Sequence, residues 1–202
     1  MKKIFLFPVL ALTLLLAACT PNPSNDKTAK VSESVDKQKI VFDNILNRHS
    51  IRSYKPDQVP KATIDTLLQT AINAPSANNK QPWEIRVVQS AEILGKINAI
   101  KPKLFHDSPT VLVIAKDKNN PSSDLDCGIL SQTIMLTAEA MDLGTCALGS
   151  LGRFLNTPEA KEVADALDIP TDYEIVLAIS LGYKNETPEA KPRDAAKIKF
   201  IN

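Results

Sequence analysis

Arg48-His49-Ser50-Ile51-Arg52 sets two guanidiniums, an imidazole and a hydroxyl within one short stretch, a dense set of donors for an anion. Guanidiniums bind phosphate oxygens through paired, charge-assisted hydrogen bonds, and a hydroxyl or ring nitrogen beside them can complete the coordination. The same residues would also suit a plain helix end, where cations complement the dipole and face solvent. A second basic pair, Lys191 and Arg193 around Pro192, stands near the opposite end of the chain.

Two further stretches carry the right chemistry for a ligand. Ala74-Pro75-Ser76-Ala77-Asn78-Asn79-Lys80-Gln81-Pro82-Trp83 is a polar loop of small residues containing the only tryptophan. Its amides and hydroxyls offer both donors and acceptors, which a heterocycle with a mixed hydrogen-bonding edge requires, although a simple turn has the same composition. Residues 144–152, Gly-Thr-Cys-Ala-Leu-Gly-Ser-Leu-Gly, hold three of the six glycines. Glycine lets main-chain amides approach a ligand.

The elements that must position these stretches follow from periodicity. Ile40, Val41, Ile45 and Leu46 recur at helical spacing up to Asn47, so the first basic cluster falls at a helix end or in the turn after it. A helix is predicted over residues 61–73, with Ile64, Leu67, Leu68, Ala71 and Ile72 as its buried stripe. Strand 84–88 and a short helix 91–100 come next. Strand 110–115 is apolar on both faces and therefore central. The brief connection before it suggests an open cleft with little lid. The longest helix is expected over 124–143, so apolar that it must be buried in the domain or against a second copy. Thr157 reads as an N-cap with Pro158 at the first helical position, opening a helix to Leu167. A strand then spans 173–181 with Gly182 ending it, and the tail 198–201 alternates like an edge strand.

The start of the chain has a different character. Lys2 and Lys3 precede an apolar run that ends in Leu16-Ala17-Ala18-Cys19. That run is shorter than the roughly 20 residues a spanning helix needs and has small residues before a cut site. Residues 1–18 are expected to be a lipoprotein signal peptide and Cys19 its lipidation site, the ending resembling the bacterial lipoprotein box. Residues 19–37 are expected to form a flexible tether, because their low apolar content cannot offset ordering entropy. The domain is then 38–202, exported and lipid-anchored to the bacterial cell envelope. Cys127 and Cys146 are read as unpaired, since one long helix would separate them by far more than the ~7 Å reach of a disulfide.

Several chemistries are excluded. With 24 Lys+Arg against 23 Asp+Glu the balance is near neutral, and no basic excess points to nucleic acid. No triphosphate-binding Gly-Lys-Ser/Thr loop, G-x-G-x-x-G, H-E-x-x-H or G-x-S-x-G occurs, and two histidines without a Cys/His cluster make no metal site.

Taken in order, Arg-His-Ser-Ile-Arg, Ala-Pro-Ser-Ala-Asn-Asn-Lys-Gln-Pro-Trp, Gly-Thr-Cys-Ala-Leu-Gly-Ser, Gly-Tyr and Lys-Pro-Arg resemble the nitroreductase family over about residues 40–202. The resemblance implies an α+β fold, a three-layer sandwich with a mostly antiparallel central sheet and helices on both faces. It further implies a homodimer that exchanges its C-terminal strand, with FMN at the subunit interface. By the family pattern Arg48, Ser50, Arg52, Lys191 and Arg193 match positions at the phosphate and ribityl end, with His49 in the same loop. Pro75, Ser76 and Asn79 match positions that the second copy contributes to the flavin ring. Gly149 and Ser150 match a segment whose main-chain amides reach the ring. Relatives with an acidic residue at the Gly149 position have no counterpart here. The implied activity is ping-pong hydride transfer from a donor such as NAD(P)H, through FMN, to a nitroaromatic, quinone or similar small acceptor. Dehalogenation or dehydrogenation on the same fold, or a non-catalytic flavin-binding lipoprotein, are the alternatives. No protein nucleophile, acid or base is required, since the cofactor carries the chemistry. Replacing Cys19 with Ser is expected to move the protein from membrane to soluble fractions; unchanged membrane association would refute the anchor.

Overall fold

The computed structural model describes residues 24–201 of the 202-residue chain, so the expected signal peptide and Cys19 lie outside the described residues. The chain divides after Ile40, and the architecture below is that of the unit Val41–Asn202. Helix α1 (Ser24–Asn47) begins before this division. Residues 24–37, part of the stretch expected to be a flexible tether, are helical. Low apolar content was the basis of that expectation, but Lys, Ala and Glu in this stretch are strong helix formers on their own.

A four-stranded sheet in the order β1-β2-β4-β3 lies at the centre, antiparallel throughout. Its strands are β1 (Trp83–Val88), β2 (Thr110–Asp117), β3 (Leu143–Leu148) and β4 (Tyr173–Tyr183). Strand β2 is buried from residue 110 to 115, as a central strand between two layers of helices must be. Its side chains alternate between two cores. Val111, Val113 and Ala115 join Leu94 and Ile97 of α3 (Ala91–Ile100) and Leu151 and Leu155 of α5 (Gly149–Leu155). Leu112 and Ile114 face the other way, onto Leu67 of α2 (Lys61–Ala71) and Leu130 and Ile134 of α4 (Ser123–Ala140). Full burial of such a side chain is worth about 1.5–3 kcal/mol, so the two cores hold the sheet from both faces. The expected three-layer α+β architecture is present. Helix α6 (Lys161–Ala166) completes the first layer, after a 3-10 turn at Pro158–Ala160 where a single helix was expected.

Two expectations about the glycine-rich segment need correction. The helix expected to reach residue 143 stops at Ala140, and after a turn with Asp142 at positive φ the chain becomes β3. Residues 144–148 are thus a strand rather than a ligand-cradling loop. Gly144 and Gly152 serve packing instead. A Cβ at Gly144 would lie 2.9 Å from Ile51 side-chain atoms, and one at Gly152 would lie 3.0 Å from the Leu177 and Val176 backbone of β4. Cys127 and Cys146 consequently sit on different elements, α4 and β3; both are free and buried. Burial pushes the Cys127 thiol up to about 11, helped by Asp124 and Asp126, which keeps it protonated and unreactive.

The ends of the sheet also differ from expectation. Strand β4 continues through Gly182 to Tyr183, and the space a Gly182 side chain would fill is taken by Pro109 and the Tyr54 ring. The tail expected as an edge strand pairs with no strand among the described residues, and Ile198, Phe200 and Ile201 are 70%, 87% and 91% exposed. Alternation alone cannot supply a partner edge. Two substitutions separate these packing roles from helix propensity. Gly95→Ala, in mid-α3 with nothing within 4 Å, is expected to stabilise by roughly 1 kcal/mol, and Gly152→Val to destabilise by about 1–3 kcal/mol. Urea unfolding midpoints moving in opposite directions would check both.

Candidate functional site

The first basic cluster lies just beyond α1, whose end is marked by Arg48 N–H donating to Asn44 O at 3.3 Å. From there the chain runs extended along the sheet margin. Ile51 is 2% exposed and wedged against Gly144, and its N–H donates to Thr145 O at 2.9 Å. Ser50 forms an isolated parallel bridge with Thr145 and Tyr54 an antiparallel one with Lys184. With Ile51 facing in, Ser50 and Arg52 face out. Tyr54 fixes the far end: its hydroxyl donates to Ile51 O at 2.5 Å and accepts from Ser180 Oγ at 2.6 Å. Burial holds this phenol well above its usual range, so it remains a donor.

The C-terminal arm is zipped to this segment. Lys55 N–H donates to Tyr183 O at 3.0 Å, and Asn185 N–H to Ser53 O at 3.1 Å. Glu186 Oε1 accepts from the main-chain N–H of Arg52 and, at 3.1 Å, of Ser53. This pairing brings the two basic clusters to one cavity of about 130 Å³. One wall is Arg48, His49, Ser50 and Arg52; the other is Pro188, Glu189, Lys191 and Arg193. His49 Nδ1 lies 2.6 Å from Asn47 O, which makes Nδ1 the protonated nitrogen and leaves Nε2 as the free one. Arg193 Nη1 donates to Lys191 O at 3.0 Å, stiffening the arm. The neighbouring turn carries His106, whose burial and proximity to the Arg52 guanidinium both lower its pKa. Three guanidiniums, an ammonium and a hydroxyl against the single carboxylate of Glu189 give this cavity a cationic lining that suits a phosphate monoester. A second cavity of about 320 Å³ adjoins it through His49 and Pro188, and the Lys184–Glu139 ion pair at 2.8 Å lies along that one.

The remaining expected residues lie elsewhere in the chain. Pro75 and Asn79 line a separate concavity of about 450 Å³ beyond α2, together with Gln81 and Asn73. This loop is tightly organised: Asn78, Asn79 and Gln81 take positive φ of 52°, 54° and 47°, and Gln81 N–H donates to Ser76 Oγ at 3.0 Å. Asn and Asp tolerate that region better than other non-glycine residues, so the two asparagines belong there. Asp126, 2% exposed in the first turn of α4, accepts from Ala77 N–H through both oxygens at 3.2 and 3.1 Å. Gly149 and Ser150 open α5 directly after β3; the Arg153 guanidinium lies 3.4 Å from where a Gly149 Cβ would be.

Three residues that matter here were missed in the sequence. Glu186, Asp126 and Tyr54 act on main-chain groups more than forty positions away or, for Tyr54, through a buried hydroxyl pair with Ser180. Only a carboxylate among the apolar residues of α4 gave any signal, at Asp126.

Comparison with known proteins gives the family of this fold. The sequence pattern of the Nitroreductase family matches residues 45–101 and 96–183. A 4-nitrobenzoate reductase of Nocardioides sp. (strain LMS-CY) is 28% identical over 204 aligned positions, covering 71% of this chain and 81% of that protein. An FMN-dependent nitroreductase from Clostridium difficile R20291 superposes with a TM-score of 0.69 at 30% identity, over 80% of this chain and 99% of the other. A nitroreductase with bound FMN from Desulfitobacterium hafniense DCB-2 gives a TM-score of 0.72 at 26% identity, over 80% and 98%. With the family pattern spanning most of the folded unit, the chain belongs to the nitroreductase family.

Proposed function

We propose that this chain is an FMN-dependent oxidoreductase that carries hydride from a reduced donor such as NAD(P)H to a nitroaromatic, quinone or similar small acceptor. The observation that supports it most is the gathering of Arg48, Arg52, Lys191 and Arg193, from opposite ends of the sequence, around one phosphate-sized cavity. A buried phosphate needs several cations and donors to offset its desolvation, and this wall supplies them. In this reading Arg48, Ser50, Arg52, Lys191 and Arg193 hold the phosphate and ribityl end, and His49 offers its free nitrogen beside them. When bound, FMN supplies the two-electron chemistry, with donor and acceptor using one face in turn. Gly149 and Ser150 direct main-chain amides toward the ring.

The loop with Pro75, Ser76 and Asn79 lies apart from the cationic cavity in the same chain, so it serves the ring of a second copy. Apolar exposure supports such a homodimer. Val41, Phe42, Ile45 and Leu46 at the end of α1 are 48–72% exposed, and Ile198, Phe200 and Ile201 in the tail are 70–91% exposed. Apolar side chains grouped this way mark a protein contact, and an exchanged C-terminal segment would cover them. The lipid anchor at Cys19 and its place on the cell envelope are part of the same proposal. Export narrows the donor, because nicotinamide cofactors are scarce outside the cytoplasm.

The purified mature protein is expected to be yellow, with a flavin absorbance band that bleaches when NADH or NADPH is added. A colourless preparation that takes up no added FMN would overturn the cofactor, and a band inert to both donors would overturn the reductase. Arg48→Ala together with Arg193→Ala removes two charge-assisted contacts of about 1.5–3 kcal/mol each, so the flavin is expected to wash out on dilution. Full retention of colour in that double variant contradicts the phosphate assignment.

A further inference from the structure

We propose that Glu186 is a positioning residue for the phosphate end of the flavin, holding the backbone from which Arg52 reaches the anion. The proposal rests on the cationic cavity being the phosphate site.

Glu186 does not line that cavity. Its carboxylate takes the N–H groups of Arg52 and Ser53, adjacent residues of the extended segment that forms one wall. Neighbouring donors on this segment are used otherwise: Ile51 N–H goes to Thr145 O, and Lys55 N–H to Tyr183 O. Glu186 is therefore the partner that fixes the segment at the point where Arg52 leaves it. The Arg52 side chain does little to fix itself. Its one contact within the segment, Nη1 to Ser50 O, is 3.5 Å long, and the residue is exposed. Where the guanidinium stands is thus decided by its backbone.

The same residue also governs the opposite wall. Glu186 stands two positions before Pro188, where the arm bearing Lys191 and Arg193 enters the cavity. Beside the Asn185 N–H bond to Ser53 O, this side chain ties the two walls at a fixed spacing. A carboxylate suits this task because charge-assisted hydrogen bonds are roughly twice as strong as neutral ones. Its negative charge also lies beside a group of cations that repel one another before a phosphate arrives. An amide oxygen in the same place would accept from the same two N–H groups without the charge. Glutamine is accordingly the informative replacement.

The test compares FMN with riboflavin, which has the same ring and ribityl chain and no phosphate. The full chain, freed of flavin, is titrated with each ligand by quenching of flavin fluorescence. Wild type should bind FMN more tightly than riboflavin. Glu186→Ala should raise the Kd for FMN about tenfold, the size of losing a hydrogen bond to a charged group, and leave that for riboflavin nearly unchanged. Glu186→Gln, which keeps the acceptor without its charge, should recover part of the lost FMN affinity. Should the alanine variant fail to fold, Glu186→Asp, which draws the carboxylate back by one carbon, should show the same FMN-selective loss. Equal weakening of both ligands, or an unchanged FMN-to-riboflavin ratio in the variants, overturns the proposal. A wild type that does not distinguish the two ligands instead overturns the phosphate reading of the cavity, and this inference with it.

Discussion

Like charges do not assemble around a small cavity by their own preference; two at 4 Å repel by about 1 kcal/mol even in bulk water. The chain that carries Arg48 and Arg52 must therefore be held by contacts other than those of its cations, and Ile51 supplies the one between them. Its side chain is buried in the space left by Gly144, and its N–H joins Thr145 of β3. A buried isoleucine contributes about 1.5–3 kcal/mol, enough to offset the repulsion of neighbouring cations in solvent. Alternation then does the rest: with Ile51 inward, Ser50 and Arg52 must point outward. Charge placement at this site is a consequence of apolar packing one residue away.

The sheet order explains why the two ends of the sequence meet. β4 lies between β2 and β3, and its last residue, Tyr183, pairs with Leu143, the first residue of β3. The N-terminal extended segment crosses this corner, touching β3 at Thr145 and the exit of β4 at Tyr183 and Lys184. Tyr54 locks the crossing through Ser180, inside β4, where burial raises its pKa and preserves its proton. Everything after Lys184 must leave along the segment that has just arrived, so the second basic pair is delivered to the first. Asn185 and Glu186 extend the contact by two more residues.

Much of this was legible in the sequence, and what was not has identifiable reasons. The central strand was plain because it is apolar on both faces, and the basic clusters because guanidiniums are few and their spacing short. β3 was misread because an apolar helix runs almost directly into an apolar strand, and only the positive φ at Asp142 separates them. The glycines of that stretch looked like ligand contacts; Gly144 and Gly152 are empty because Ile51 and the β4 backbone occupy their side-chain space. Such vacancies depend on residues far away in sequence. Glu186 escaped notice for the same reason, since a surface carboxylate and a main-chain clamp look alike until the fold is known.

The polar loop beyond α2 poses the complementary problem, that of holding strained backbone in place. Three residues within residues 78–81 adopt positive φ, a conformation that costs of order 1–3 kcal/mol for each non-glycine residue and persists only where the surroundings impose it. Here the imposition comes from α4, where Asp126 takes Ala77 N–H at one end of the loop and the Cys127 thiol lies 3.9 Å from Pro82 O at the other. A carboxylate that is 2% exposed is itself expensive to bury, and its place in the first turn of α4 reduces that cost because helix N-termini favour negative charge. The loop is thus fixed by a buried anion just as the basic segment is fixed by Glu186. In both places an acid binds main-chain N–H, so the backbone that displays side chains to a ligand is held by a carboxylate from elsewhere in the chain.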